Sequence, residues 1–390
     1  MLALPAILSA QPSIQPKGIL YASGYQNQLA PDTVFVIFGS GLGPAAIQTA
    51  SAPYPSSLAG TSVTFAPLTG GVPVTAKMVY SVATQIAGLL PSSIAPGTYA
   101  VTVTYQGQSS TTGNVTVVPR SLGIATSNSG GTGAAQATIG NVSNGISLTR
   151  MTAGSTSFGG YNWTLSPAHP GDEIVLWGTG GGADSANDTG GSSGDQTAAG
   201  NFTVNVAGTT VVPLYSGTSS GYPGLWQVNF VVPSNTAADC FAPVTVTGGG
   251  VQSNAVTIAI APTAQTSCSA TIPASTLAKL DSGTGTITAA GLILGENDIS
   301  GSLQYVVGGV INQYTVAEYL IPYSGPMVDK CTILHEVYPA GGKEPSAPDV
   351  QLDAGNMSLS GPGASLAIPR SRAFCTMPRS HPSRPAAPTP

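Results

Sequence analysis

The stretch Pro170-Gly171-Asp172-Glu173-Ile174-Val175-Leu176-Trp177-Gly178-Thr179-Gly180-Gly181-Gly182 decides the fold, because an ungapped cousin, Pro31 to Gly43, stands 139 residues earlier. In both copies a Pro and an Asp precede four apolar residues, Phe35-Val36-Ile37-Phe38 or Ile174-Val175-Leu176-Trp177. A Gly-(Ser/Thr)-Gly-x-Gly turn follows each. A short β-rich apolar run bounded by glycines predicts a buried strand that leads into a tight turn.

Further blocks recur outward from this pair in the same order. Gln85 to Pro91 is answered by Gln227 to Pro233, an offset of 142. Val101 to Thr104 is answered by Val244 to Thr247, an offset of 143, and Val115-Thr116-Val117 by Val256-Thr257-Ile258, an offset of 141. Ordered blocks with small changes of loop length are the mark of tandem domains. Each copy holds about seven short strands spaced roughly ten residues apart, the spacing of an antiparallel β-sandwich. Tyr99 stands where an aromatic residue packs at a sandwich corner.

The expected organisation follows. Residues 1–12 read as the remnant of a signal peptide, 13–119 as the first immunoglobulin-like sandwich and 120–264 as the second. Residues 265–369 read as a β-rich C-terminal region, with strands expected over Thr271 to Ile293, Leu303 to Ile311, Tyr314 to Ile321 and Cys331 to Val337. A Pro/Arg-rich tail, expected to be disordered, occupies 370–390. The apolar start, Met1 to Ala10, resembles a secretory h-region without its basic flank; an ordinary N-terminal strand is the other reading.

Composition agrees with this fold class, all-β with tandem immunoglobulin-like sandwiches and a C-terminal β-rich region. Of 390 residues, 42% are apolar and only 7% charged, which opposes solvated disorder. The 50 Gly and 32 Pro punctuate Val-, Thr- and Tyr-rich runs, as many short strands require. A net charge of −5 with 11 Lys and Arg supplies no basic surface for a phosphate backbone, so a nucleic-acid partner is not expected. No apolar run reaches the roughly 18 residues of a spanning helix, so no transmembrane segment is expected.

Cys240, Cys268, Cys331 and Cys375 fit no zinc spacing. In an exported chain the natural pair is Cys240 with Cys268, flanking the predicted strands Val244 to Thr247 and Asn254 to Ile260; two buried free thiols are the alternative. Cys331 with Cys375 is a weaker pairing.

Catalytic machinery is sparse. His169, His335 and His381 are the only histidines. His381 lies in the tail, and His169 is expected in an exposed loop. His335 and Glu336 are neighbours on a presumed strand, where consecutive side chains point to opposite faces. A hydrolase site would have to be built there, with Glu318. The glycines at 178–182 lack the lysine and helix of a phosphate loop, so they read as a turn. The loop Asp184-Ser185-Ala186-Asn187-Asp188, with Asp195 beyond it, offers oxygens to calcium but lacks the alternate-residue spacing of a calcium loop. No cofactor, metal or catalytic residue is therefore assigned. Among the tryptophans, Trp177 and Trp226 are expected in core strands, and Trp163 is the best candidate for an exposed ligand platform.

Several of these blocks resemble a known family. Ser13 to Gly18, the run from Pro170 to Gly180, Gly224 to Pro233 and Ser253 to Ile258 resemble the Ig-like repeat domain of exported Solibacter-type acidobacterial proteins, itself similar to the IPT/TIG group. The resemblance covers roughly 13–262 and is best over 119–262; the first copy departs from it at Ala87-Gly88, where the second has Asn229-Phe230. It implies an exported, non-enzymatic module of adhesion, interaction or spacing, secreted or on the cell surface. The expected partner is an extracellular protein or polysaccharide. The alternative is a polysaccharide-directed hydrolase or its carbohydrate-binding accessory.

Overall fold

The structure is a computed structural model. It describes residues 11–127, 129–140, 147–158, 161–269, 272–299, 302–316, 350–352, 357–361 and 364–368. The leader, the tail, Glu318, Cys331, His335, Glu336, Cys375 and His381 lie outside them. The chain divides into two compact units, 1–281 and 282–390.

The first unit holds two β-sandwiches, and the protein is an all-β fold. In the first, one sheet runs in the order Ser13–Tyr21, Val34–Ser40, Gln85–Leu89, Lys77–Val82, Gln48–Thr49. The facing sheet is built on Gly113–Val117, Gly97–Tyr105 and Thr61–Pro67. Alternation decides what lies between them: Thr61, Val63 and Phe65 point inward from one strand and Tyr99, Val101 and Val103 from its neighbour, all buried. Phe65 meets Phe35 and Tyr99 edge-on, at ring-centroid distances of 5.3 and 6.5 Å. The Tyr99 hydroxyl donates to the Ala95 carbonyl at 2.7 Å, closing the corner.

The second sandwich repeats this plan. Its larger sheet runs Gly154–Phe158, Tyr161–Ser166, Ser147–Thr149, Ala137–Ile139, Glu173–Thr179, Trp226–Val231, Tyr215–Thr218. The smaller sheet centres on Thr203–Val206, Asp239–Gly248 and Val256–Ile260. Trp226, Phe230, Phe202, Val204 and Val246 are fully or almost fully buried between them. Each such side chain contributes about 1.5–3 kcal/mol by leaving water.

The quoted stretch and its cousin sit in equivalent registers. Val34 pairs with Leu89 as Glu173 pairs with Val231, and Phe38 pairs with Gln85 as Trp177 pairs with Gln227. The turns before them match as well. The Ala30 N–H donates to Thr33 Oγ1, and the His169 N–H donates to Asp172 Oδ2. At the other end the alignment needs correction. Ser110 and Ser253 bracket equivalent residues, Val103 and Val246, and Val256 lies opposite Val244 as Gly113 lies opposite Val101. The last strand therefore matches at an offset of 143 rather than 141. A slip of two residues keeps every side chain on its face, so the hydrophobic pattern could not reveal it.

A second correction concerns Thr271 to Ile293, expected as strand. Ala274–Ser282 is a helix whose Leu277 and Leu280, three residues apart, are buried. That i, i+3 spacing puts both leucines on one face of a helix, whereas in a strand they would point to opposite faces. Gly283, with φ +67°, follows its end. Asp281 on this helix accepts from the Met151 N–H at 2.9 Å, tying it to the second sandwich. Cys240 and Cys268 form a disulfide with Cα atoms 5.0 Å apart, so the free-thiol alternative is set aside.

In the second unit, Thr286–Ile299 pairs antiparallel with Ser302–Thr315 along its whole length, and Val350–Leu352 adds to the latter. Met357–Gly361 and Ala364–Ile368 form a separate hairpin.

Candidate functional site

Every strand of a sandwich has one face in the core and one turned away, so the outer faces can be compared position by position. In the second sandwich one outer row runs Tyr215, Asn229, Val175, Thr138 across four strands. Trp177 and Gln227 pair in the next row, and Glu173 lies in the row on the other side. The equivalent row of the first sandwich is Tyr80, Ala87, Val36, Leu20, with Phe38 and Gln85 beside it. Tyrosine, the aromatic–glutamine pair and a central valine thus recur.

Asn229 and Glu173 do not recur: Ala87 and Val34 stand in their places. On the second sandwich they form a ladder. Gln227 Nε2 donates to Asn229 Oδ1 at 2.7 Å, and Asn229 Nδ2 donates to Glu173 Oε1 at 3.0 Å. Each member has capacity left, namely the Gln227 carbonyl oxygen, the second Asn229 N–H and the other Glu173 oxygen. Tyr215 and Trp177, both half-buried, flank the ladder. The face therefore presents aromatic surface beside fixed donors and acceptors.

The sequence-predicted residues fall as follows. Trp163 is half-buried on Tyr161–Ser166, on this same outer face, because Leu165 two residues on lies beside Leu148, the partner of Thr138. Standard strand spacings put it roughly 14 Å across the sheet from Glu173 and a further ~13 Å along it from the level of Trp177. Trp177, expected in the core, is instead on the outer face: Ile174 and Leu176 take the inward positions, and a four-residue apolar run does not say which alternate residues face in. Trp226 is in the core, where its indole N–H donates to Ser216 Oγ at 3.1 Å. His169, expected in an exposed loop, is half-buried; its ring lies 3.2 Å from Asp172 and 2.9 Å from the Gln265 carbonyl.

The oxygens of the acidic loop are spent on folding it. Asp184 accepts from the Ser193 N–H and hydroxyl at 2.9 and 2.6 Å, the Ala186 N–H at 3.1 Å, and the Thr218 hydroxyl. Burial pushes its carboxyl up, but these bonds together outweigh it and hold it below the ordinary range. The Thr197 hydroxyl does the same for Asp195, against a smaller effect of burial and helped by the Ser216 and Thr197 N–H groups. Asn187 accepts from the Gly224 N–H at 2.6 Å. Among the described residues no three His, Cys, Asp or Glu side chains are arranged to hold a metal.

The far end of the outer face meets the first sandwich. Thr179, next after Trp177 on that face, accepts from the Val34 N–H at 2.7 Å through Oγ1. Gly224, φ +83°, lets the backbone come so close that a Cβ there would stand 2.5 Å from Val34 Cγ2. On the linker, the Arg120 guanidinium donates to the Gly181 carbonyl and lies 5.3 Å from the Phe202 ring centroid.

No protein-family model matches the chain, and no curated protein does. Among solved structures it is similar to the Bacteroides ovatus mixed-linkage glucan utilization locus SGBP-B, in complex with a mixed-linkage heptasaccharide, at 11% identity and TM-score 0.27, over 75% of this chain and 50% of that one. It is similar to the full extracellular region of plexin A4 at 12% identity and TM-score 0.21, over 64% and 18%. A third is the glycoside hydrolase family 107 endo-fucoidan hydrolase MfFcnA4, at 10% identity and TM-score 0.13, over 70% and 42%. The chain spans half or less of the length of each.

Proposed function

We propose that the protein is an exported, non-catalytic interaction module of the Solibacter-type Ig-like kind, and that it binds a neutral polysaccharide on the outer face of its second sandwich. The observation that carries this reading is the Gln227–Asn229–Glu173 ladder, present where the equivalent sheet of the first sandwich has Gln85, Ala87 and Val34. The fold does not need it, because the first sandwich forms without it.

The chemistry suits a sugar chain. A pyranose ring offers C–H groups on its flat side and hydroxyls at its rim. The electron-rich faces of Trp177 and Tyr215 attract the C–H groups, and the ladder supplies a donor and two acceptors for hydroxyls. Glu173 is the charged member of the ladder, and no Lys or Arg lies on the strands that carry it. An anionic chain would meet repulsion there without a compensating cation, so a neutral glycan is favoured. Trp163 extends the platform toward the far edge of the sheet. The disulfide supports an oxidising, extracellular setting, and among the described residues no helix is long and apolar enough to cross a membrane.

The test is native electrophoresis through gels containing a neutral soluble β-glucan or an anionic polyuronate. Retardation by the first and not the second is expected, abolished by Trp177→Ala or Asn229→Ala and weakened by Trp163→Ala. Reducing ends should not accumulate. Free migration in both gels would remove the reading. Retardation unchanged in the Trp177 and Asn229 variants would move the site elsewhere.

A further inference from the structure

Asp32 is the most unusual side chain at the meeting of the two sandwiches. It is 1% exposed, and its backbone φ of +60° lies in the left-handed region. The equivalent residue of the second sandwich is Gly171, φ +94°, and both N–H groups bond the same way, Asp32 to the Leu90 carbonyl and Gly171 to that of Val232. Glycine is the residue this backbone prefers. The first sandwich carries an aspartate there, so the reason lies in its side chain.

That side chain reaches across the junction. Asp32 Oδ2 accepts from the Asp184 N–H, whereas Oδ1 is buried with no donor. The Asp188 carboxyl group is brought to the same place, since Asp32 bonds to the Leu90 carbonyl two residues before Ser92, and its charge acts on Asp32. Asp188 itself is anchored to the first sandwich, accepting from the Ser92 N–H at 3.0 Å and the Ser92 hydroxyl at 2.7 Å. Two carboxyl groups facing each other cannot bond unless one keeps its proton. We propose that Asp32 keeps its proton and turns it toward Asp188 across the junction, and that this contact is a pH-operated latch between the two sandwiches.

The surroundings favour the protonated pair. Burial pushes the Asp32 carboxyl up to about 8; the Asp184 N–H opposes this, while the nearby Asp188 and Asp184 carboxyl groups add to it. Asp184 and Asp188, on the 184–188 loop, and Arg120, on the linker, are the charged groups packed around this junction. The Asp184 carboxyl group is held by Ser193 and Thr218, and Arg120 is turned to Gly181 and Phe202. Among the described residues no cation therefore neutralises Asp32. In the unfolded chain an aspartate titrates near the ordinary value of about 4. Stability from the pair is accordingly complete below about pH 4 and is lost as the pH rises through about 8.

The experiment compares thermal unfolding of the full chain from pH 6 to pH 9 for wild type, Asp32→Asn and Asp188→Asn. Amide exchange over residues 30–34 and 184–191, corrected for its intrinsic pH dependence, is followed alongside. Asparagine tolerates the left-handed backbone and donates without titrating. The wild type should lose several degrees of Tm and its local protection across this range, and Asp32→Asn should lose neither. Should Asp32→Asn not fold, Asp188→Asn should lose less Tm than the wild type over this range but not none, because Asp32 stays buried while the Asp188 charge that adds to its raised carboxyl is gone. Parallel profiles in wild type and variant would overturn the latch. So would rescue of the wild type at pH 9 by millimolar calcium, which would make the pair a cation site.

Discussion

The two sandwiches share a register and differ in what they display. Across the outer row, Tyr80-Ala87-Val36-Leu20 of the first corresponds to Tyr215-Asn229-Val175-Thr138 of the second. In the first, Ala87 and Val36 are almost completely buried, and Phe38 packs 6.3 Å from Tyr25. Burial pushes the Tyr80 hydroxyl up, and Tyr25 adds to it. In the second, Val175 is as buried as Val36, and the difference lies in Asn229 and Glu173, an amide and a carboxylate where the first has Ala87 and Val34. Positions that agree are what the fold requires; positions that disagree are where each sandwich does something of its own. The ladder is the second's contribution, and Asp32 is the first's.

The core gives the largest expected contrast. Trp226→Ala removes a fully buried indole and leaves Ser216 Oγ without its donor, which should cost about 3–5 kcal/mol. All three tryptophans lie in the second sandwich. The emission of Trp163 and Trp177 in urea titrations should therefore move to much lower denaturant while the first sandwich's circular dichroism transition stays in place. A single shared shift would mean that the two unfold as one body.

Next comes the disulfide. Replacing Cys240 and Cys268 by serine should destabilise the second sandwich by about 2–5 kcal/mol, read by the same fluorescence transition. Asn254→Ala should follow. Asn254 accepts from the Ile124 N–H at 2.7 Å and donates to the Ile124 and Gly131 carbonyls at 2.9 and 2.8 Å, so truncation strands buried groups at about 1–3 kcal/mol. The aligned residue of the first sandwich is Thr111, and Thr111→Ala should change little. The smallest effect belongs to the corner, where Tyr99→Phe gives up one bond to Ala95 at about 0.5–1.5 kcal/mol, measured by the circular dichroism midpoint.

Much of this comparison is legible in the chain. The offsets of 139 and 142 place both central strand pairs in their observed register, and the cysteine spacing points to the bond that forms. Three things were hidden for physical reasons. The offset at the last strand is ambiguous because sidedness has a period of two. Trp177 sits in an apolar run, which hides the difference between inward and outward positions. The junction joins Asp32 to a loop some 150 residues away, and no local pattern announces such a contact. The ladder was nearly visible: Asn229 interrupts an apolar strand exactly where the first copy has Ala87.

The disulfide also decides what a break in the backbone would mean. It ties the start of the Asp239–Gly248 strand to Cys268, beyond the Val256–Ile260 strand and ahead of the helix. The turn at Gly249 and Gly250 projects between them, with Gly250 exposed. A protease that cuts there severs the chain without releasing its C-terminal part, because everything after Cys268 stays covalently attached through Cys240. Whatever the C-terminal unit carries is therefore retained after such a nick, and is shed only where the surroundings are also reducing.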